Sequence, residues 1–205
     1  WSTLTGLGEL LLTGCTTSTD HFYVFPEHCP DHLFDQQIKA AQKIGIRFQP
    51  TRGSMSRGKD KGGLPPNDVV QSEDKILADC ERVIKAYHDP DPLAMIKIAL
   101  APCSPFSVTP ELLSETVKLA RKYKVRCHTH VAETKDEDAY CLEMYGKRPY
   151  DFMESVGWTG DDIWFAHCCY LNDEEIKRAA ESGTGVSHCP ASNMRLASGV
   201  ARVPS

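Results

Sequence analysis

The sequence predicts an α/β fold with a parallel sheet, and within that class a fragment of a (β/α)8 TIM barrel, about strands 2 to 7. Three observations support this prediction. Strand and helix patterns alternate along the 205 residues. No two predicted strands lie close enough for a hairpin, so the strands should run parallel. Three strand-like segments in the second half of the chain end on histidines, at residues 128–130, 167 and 188.

A doubly wound sheet shows the same alternation of strands and helices. It usually carries a glycine-rich phosphate loop after its first strand and binds its ligand at one switch point. No such loop follows the first predicted strand here, and the histidines follow several strands. Barrel enzymes place their chemistry at the C-terminal ends of their strands, which favours the barrel. About six predicted strands are fewer than the eight of a closed barrel, so a fragment is expected.

In the first half of the chain the predicted strands are short. Residues 10–24 contain a β-branched run and residues 45–50 form a second strand, after an amphipathic helix over residues 35–44. A glycine-rich basic segment follows, of a length usually found in binding loops. Residues 72–87 then predict a helix, because apolar residues recur at helical spacing. These residues are Ile76, Leu77, Cys80, Val83 and Ile84.

The second half repeats the strand and helix unit. Residues 95–101 predict a strand, and Thr109 followed by Pro110 predicts the start of a helix, since these residues suit the N-cap and the first position. Three histidine-ended strands follow, separated by helices. The predicted helices of this half cover residues 109–123, 136–145, 149–156 and 173–182.

The composition excludes several classes of function. A net charge of −5 argues against nucleic acid or an anionic membrane as the main partner. No apolar run approaches the ~20 residues of a membrane span. The nine cysteines are scattered without a CxxC pair. Reduced thiols in a cytoplasmic protein are therefore predicted rather than a disulfide framework.

The strongest candidate site residues follow the predicted strands. His128 and His130 lie two apart on one strand and so face the same side. Glu133 should lie just past the strand end, where its carboxylate can reach back to a metal and transfer protons. His167 is predicted to be a metal ligand or a hydrogen-bond donor to the developing oxyanion. The alternative for the His128–His130 pair alone is two hydrogen-bonded core histidines.

Weaker candidates lie at the ends of other segments. His188 precedes a turn-rich stretch expected to close over the pocket, and it is predicted to contact or support the substrate. Cys103 follows a proline at a strand end and lines the pocket in one interpretation, or is a buried structural thiol in the other. Arg52, in the glycine-rich segment, is predicted to bind the substrate, although a solvated arginine is commoner there. His21 is a candidate supporting residue under the site.

Five stretches of the chain resemble the amidohydrolase superfamily, specifically its guanine deaminase, chlorohydrolase and 8-oxoguanine deaminase branch. They occur in the order of that family and span nearly the whole chain. They are residues 14–17 (GCTT), 101–107 (APCSPFS), 128–134 (HTHVAET), 165–168 (FAHC) and 186–193 (VSHCPASN). The resemblance implies that residues 1–205 are part of a TIM-barrel catalytic domain.

The resemblance also implies roles for single residues. His130 would be a ligand to Zn²⁺, with Fe²⁺ as the alternative metal. Glu133 would move protons between water and substrate, His167 would help to polarise the attacked carbon, and Cys103 would contact the substrate. Further ligands, a His-x-His pair on strand one and an aspartate on strand eight, have no counterpart in this sequence.

The activity implied by the resemblance is hydrolytic deamination of a purine-like heterocycle, most specifically 8-oxoguanine. The alternatives are a hydroxyatrazine-type aminohydrolase or chlorohydrolase acting on a triazine, and a non-catalytic barrel scaffold, since fold does not fix function. The expected partner is a small heterocyclic molecule, with no nucleic acid and no membrane. The full-length protein is expected to be a homo-oligomer.

Overall fold

The computed structural model describes residues 1–30 and 32–202. The helices are α1 (Ser2–Leu12), α2 (Leu33–Ile44), α3 (Glu73–Tyr87), α4 (Pro110–Tyr123), α5 (Lys135–Tyr145), α6 (Pro149–Ser155), α7 (Asp173–Ser182) and α8 (Pro190–Leu196). The strands are β1 (Thr17–Thr19), β2 (Arg47–Gln49), β3 (Thr51–Ser54), β4 (Ala99–Pro102), β5 (Arg126–Val131), β6 (Ile163–His167) and β7 (Gly185–Ser187). In the described part of the chain, no helix is both long and apolar enough to cross a membrane.

The strands form one continuous parallel wall. β3, β4, β5, β6 and β7 are hydrogen-bonded neighbours in that order, and β1 pairs with β2. β2 and β3 lie on either side of Pro50, and bridges from Phe22 to Arg52 and from Phe48 to Ile96 join the two ladders. The spatial order therefore follows the chain order, without the reversal of a doubly wound sheet. The prediction of a parallel α/β sheet is confirmed.

Local sequence explains why the helices form where they do, and α4 is a clear case. Thr109 accepts a hydrogen bond from the backbone N–H of Leu112 at 3.1 Å, and Pro110 occupies the first turn. Lys124 ends the helix in the left-handed conformation. The face that packs into the core with β4 and β5 is apolar, which stabilises the helix by burial. Its buried apolar residues are Leu112, Leu113, Val117 and Ala120.

The structure corrects two predicted boundaries. Residues 10–12 form the end of α1 rather than the start of a strand, since they continue a leucine-rich helix, and the first strand is limited to Thr17–Thr19. Residues 189–193 are predicted to be rich in turns, but residues 190–193 form the start of α8, Pro190–Leu196. Pro190 takes the first position of that helix, where its missing N–H leaves no bond unmade.

Backbone strain is concentrated where β5 and β6 end. Ala132 (φ 51°), His167 (φ 72°) and Cys168 (φ 51°) adopt the left-handed conformation, which costs a non-glycine residue about 1–3 kcal/mol. The N–H of Cys168 donates to the carbonyl of Val131 at 3.1 Å, and that of Tyr170 donates to the carbonyl of Ala132 at 3.0 Å. These bonds tie the two strand ends together and offset the strain.

Candidate active site

Four histidines from three segments form one cluster: His21 lies after β1, His128 and His130 lie on β5, and His167 ends β6. The ring of His130 is stacked 4.5 Å from that of His21 and 5.2 Å from that of His167. The ring of His128 lies 4.8 Å from that of His21. His21 follows β1, which is not a neighbour of β5 in the ladder. The sheet must therefore curve to bring these rings together, as the wall of a barrel does.

Backbone carbonyls orient three of these rings. Nδ1 of His130 lies 2.6 Å from the carbonyl oxygen of Cys103, and Nδ1 of His128 lies 3.1 Å from that of Trp164. Nε2 of His21 lies 2.9 Å from the carbonyl oxygen of Ala101. Because a carbonyl only accepts, each of these ring nitrogens donates. In neutral His130 this leaves a lone pair on Nε2, which is the arrangement of a metal-ligating histidine.

Burial keeps the inner histidines neutral. Desolvation lowers the pKa of His128 to about 3. It also lowers the pKa of His130, and it holds the pKa of His21 well below the usual value, with neighbouring histidines adding to the effect. A neutral imidazole can give its lone pair to a metal, whereas an imidazolium cannot. The rings of His21, His128 and His130 are therefore neutral at neutral pH.

Glu133 and His167 face each other beside the cluster. Oε2 of Glu133 lies 3.6 Å from Nε2 of His167, which is longer than a hydrogen bond and leaves both groups within reach of a common partner. Glu133 lies two residues past the end of β5, and His167 is the last residue of β6. The structure therefore brings together His130, Glu133 and His167.

Two polar residues that the sequence did not single out support this pair. The amide oxygen of Asn193, on α8, accepts a hydrogen bond from Nδ1 of His167 at 2.7 Å. The hydroxyl of Ser198 donates to Oε1 of Glu133 at 3.3 Å. Both partners follow β7 and His188, and Asn193 lies in the stretch predicted to be rich in turns. The only available signal was the 186–193 motif, which includes Asn193 without indicating its partner.

Cys103 contributes its backbone to the site. Its carbonyl oxygen accepts from Nδ1 of His130 and also from the hydroxyl of Thr129 at 3.1 Å. The thiol is buried, and burial raises its pKa to about 11. Cys103 therefore lies at the site as a neutral thiol whose carbonyl orients His130, and its predicted contact with a substrate stays a prediction.

Arg52 is not brought to the cluster. Its side chain is 1% exposed and turns towards α3, where Nε lies 2.6 Å from Oδ2 of Asp79. It also donates to Gln71 at 3.0 Å and lies 3.7 Å over the ring of Phe25. In a strand, alternate side chains face opposite sides, and Arg52 faces the helices. The structure thus places Arg52 in a buried ion pair away from the histidine cluster, and its contact with a substrate stays a prediction.

His188 also lies apart from the other histidines. It follows β7 and is exposed. It borders a cavity of about 210 Å³ whose lining includes Cys168, Leu171 and Ile176. In the residues that the structure describes, the helix that follows His188, rather than the histidine itself, reaches the site through Asn193.

His130 is the candidate metal ligand, and that role stays a prediction. Among residues 1–30 and 32–202, no group of three or more histidine, cysteine, aspartate or glutamate side chains could hold a metal ion. His130 has its Nδ1 bound to a carbonyl, its Nε2 free and a lowered pKa. This donor fits a zinc site, as one ligand of several.

Comparison with known proteins identifies the family. The chain matches the amidohydrolase family over residues 1–205. It belongs to this family. The resemblance found in the sequence motifs is thereby confirmed, as is the assignment of the parallel sheet to part of a TIM barrel.

Two curated relatives of this amidohydrolase chain share much of its sequence. An 8-oxoguanine deaminase from Pseudomonas aeruginosa is 51% identical over 97% of this chain and 44% of its own length. A hydroxydechloroatrazine ethylaminohydrolase from Pseudomonas sp. (strain ADP) is 37% identical over 100% of this chain and 42% of its own length. The chain therefore spans less than half the length of these relatives.

A solved structure of an atrazine chlorohydrolase from Arthrobacter aurescens TC1, complexed with zinc, has a similar fold. It superposes with a TM-score of 0.94 at 36% identity, over 98% of this chain and 44% of that chain. An adenosine deaminase from Xanthomonas campestris with bound zinc superposes with a TM-score of 0.82 at 27% identity, over 97% of this chain and 41% of that chain.

Proposed function

We propose that the full-length protein is a metal-dependent hydrolytic deaminase that releases ammonia from a purine-like heterocycle. The observation that carries this proposal is the Glu133–His167 pair, 3.6 Å apart, beside the stacked ring of His130. Hydrolytic deamination needs a group that takes a proton from water and returns it to the leaving amine. A carboxylate that faces a histidine at a strand end is suited to this task.

Each residue of the site has a distinct task in the proposed reaction. His130 would hold a divalent metal, and the chemistry that zinc supplies when bound is a lowered pKa for a water molecule. Glu133 takes a proton from water and delivers one to the departing nitrogen. His167, fixed by Asn193 at Nδ1, points Nε2 towards the same space. The zinc bound in two solved relatives supports Zn²⁺ over Fe²⁺.

The proposed substrate is 8-oxoguanine. The identity of 51% with an 8-oxoguanine deaminase, against 37% with a hydroxydechloroatrazine ethylaminohydrolase, supports a purine over a triazine. A triazine aminohydrolase or chlorohydrolase is the second candidate, and the similar fold of an atrazine chlorohydrolase, with a TM-score of 0.94, supports it. Loss of ammonia, of an alkylamine or of chloride separates the candidates by product.

A non-catalytic scaffold is the alternative from another class. A scaffold does not require three strained left-handed residues at the ends of β5 and β6. Such residues persist only where the surrounding structure holds them in place. Strain of this kind is common at active sites and argues for catalysis.

The test is to purify the full-length protein, measure its zinc content, and assay ammonia, alkylamine and chloride release from 8-oxoguanine, pterins and triazines. Stoichiometric zinc with ammonia release from 8-oxoguanine would support the proposal. Stoichiometric zinc with turnover only of triazines would contradict the purine deaminase and support the second candidate, a triazine hydrolase. A protein that binds no metal and turns over none of these compounds would contradict both.

A further inference from the structure

The backbone of the turn after β5 is bound by one buried side chain, that of Glu137 on α5. Its Oε1 accepts a hydrogen bond from the N–H of Ala132 at 2.8 Å, and its Oε2 accepts one from the N–H of Glu133 at 3.0 Å. Each carboxylate oxygen therefore holds one of two consecutive amides. The second amide belongs to the residue whose own carboxylate faces His167.

Burial of the Glu137 carboxyl group at this place costs free energy. It is 1% exposed, and burial raises its pKa to about 8, whereas the N–H groups of Glu133 and Ala132 act to lower it. The nearby carboxylates of Glu133 and Asp138 raise it further. A buried carboxyl among other carboxylates costs free energy unless its hydrogen bonds are made. Both of the bonds made here go to the turn that carries Glu133.

Ordinary helix capping does not account for this arrangement, as the equivalent glutamate one unit further along shows. Glu175 occupies the third position of α7, as Glu137 does in α5, and is also 1% exposed. Glu175 closes a capping box with Asn172 and pairs with Arg148 at 2.7 Å. The cap residue of α5 is Thr134, yet Glu137 reaches past it to the two preceding amides.

The bound turn is strained, so it needs a restraint. Ala132 has a φ of 51°, a conformation that non-glycine residues leave readily when nothing holds them. Its N–H is held by Glu137 and its carbonyl oxygen by the N–H of Tyr170. Without Glu137, the N–H groups of Ala132 and Glu133 would lose their acceptors. The turn could then rotate, and the side chain of Glu133 would move with it.

We propose that Glu137 is a positioning residue, which fixes the peptide from which Glu133 projects and so sets the distance from its carboxylate to His167. This inference rests on the proposed function, because it assigns Glu137 an effect that passes through Glu133. A displacement of about 1 Å at a reacting group can cost on the order of 100-fold in rate. Substitution of Glu137 should therefore lower kcat and leave KM and zinc content near their wild-type values.

The test compares Glu137→Gln with Glu175→Gln in the full-length protein. Glutamine keeps one acceptor oxygen but places its NH₂ group against the second backbone N–H, so one of the two hydrogen bonds to the turn is lost. Glu137→Gln is expected to lower kcat for 8-oxoguanine roughly 10- to 100-fold and to speed backbone hydrogen exchange of residues 131–134. Glu175→Gln is expected to lower the Tm while leaving kcat and that exchange unchanged. If Glu137→Gln does not fold, Glu137→Asp, which keeps the carboxyl group but shortens the side chain, is measured in the same way.

A double substitution separates positioning from general destabilisation. If Glu137 acts through Glu133, adding Glu137→Gln to Glu133→Gln should cause no further loss of kcat. Wild-type kcat and exchange in Glu137→Gln, with kcat lost in Glu133→Gln, would overturn the positioning role alone. An equal loss of kcat in Glu175→Gln would also overturn it. Wild-type turnover in Glu133→Gln would overturn the proposed function and the role of Glu137 together.

Discussion

The carboxylate of Glu133 lies 3.6 Å from Nε2 of His167, although the two residues are far apart in the sequence. β5 and β6 are adjacent parallel strands, and Val131 is paired in register with His167. The end of one strand therefore delivers the carboxylate, and the end of the next delivers the imidazole.

Glu133→Gln should remove turnover while retaining the metal. The substitution keeps the shape of the side chain but removes the proton acceptor, and one positioned acid or base typically contributes 10²–10⁴-fold. A loss of about 100-fold or more in kcat, with an unchanged zinc content, is the expected result. Stopped-assay ammonia release and metal analysis measure the two quantities. Near wild-type kcat in this variant would remove Glu133 from the mechanism.

His130→Ala should lower the zinc content, whereas His188→Ala should not. His130 is oriented by the carbonyl of Cys103 at 2.6 Å and has a lowered pKa, so its Nε2 is available to a metal. His188 is exposed and borders the cavity of about 210 Å³ beside Leu171 and Ile176, apart from the histidine cluster. Metal analysis of the two purified variants checks the contrast. If both variants are equally rich in zinc, His130 is not a ligand.

The parts of the site set by local spacing could be predicted from the sequence. His130 lies near the end of β5 and Glu133 lies just past it, where the chain turns, so the spacing in the sequence placed both at the same strand end. The partners Asn193 and Ser198 could not be predicted, because each meets the site through a contact with a distant segment. The sequence alone does not say how α8 packs.

The direction of the Arg52 side chain is a second feature that the sequence did not predict. Gly53 lies so close to the segment after β1 that an added Cβ would be 2.5 Å from the carbonyl oxygen of Phe22. At position 53 this side of β3 therefore accepts no side chain, and Arg52, one residue earlier, faces the helices. A glycine-rich basic stretch suggests a binding loop, but the residue alternation of a strand decides where the guanidinium points.

Arg52→Met should destabilise the fold and leave catalysis by the folded enzyme unchanged. The substitution removes the buried partner of Asp79, although Arg82 remains 2.7 Å from that carboxylate. Breaking a buried ion pair costs about 3 kcal/mol, and the second partner should reduce this loss. Urea unfolding gives the free energy of unfolding, and KM for 8-oxoguanine gives the binding. A raised KM with an unchanged free energy of unfolding would indicate that Arg52 contacts the substrate.

Stability should depend on pH through Asp20. Burial raises the pKa of its carboxyl from 3.8 to about 7, although the N–H of Thr51 donates to it at 2.9 Å and acts in the opposite direction. The folded protein therefore keeps a proton that the unfolded chain releases above about pH 4. By linkage, the stability that this proton supplies is present at low pH and is lost as the pH rises through about 7.

Asp20→Asn provides the measurement, because asparagine keeps an acceptor for the N–H of Thr51 and does not titrate. Urea unfolding of the wild type and of this variant should be compared between about pH 5 and pH 8. The free energy of unfolding of the wild type should fall relative to that of Asp20→Asn as the pH rises, since only the wild type must bury a charge at the higher pH. Parallel pH profiles for the two proteins would show that Asp20 is already ionised in the folded state. The N–H of Thr51 would then outweigh the cost of burying the charge.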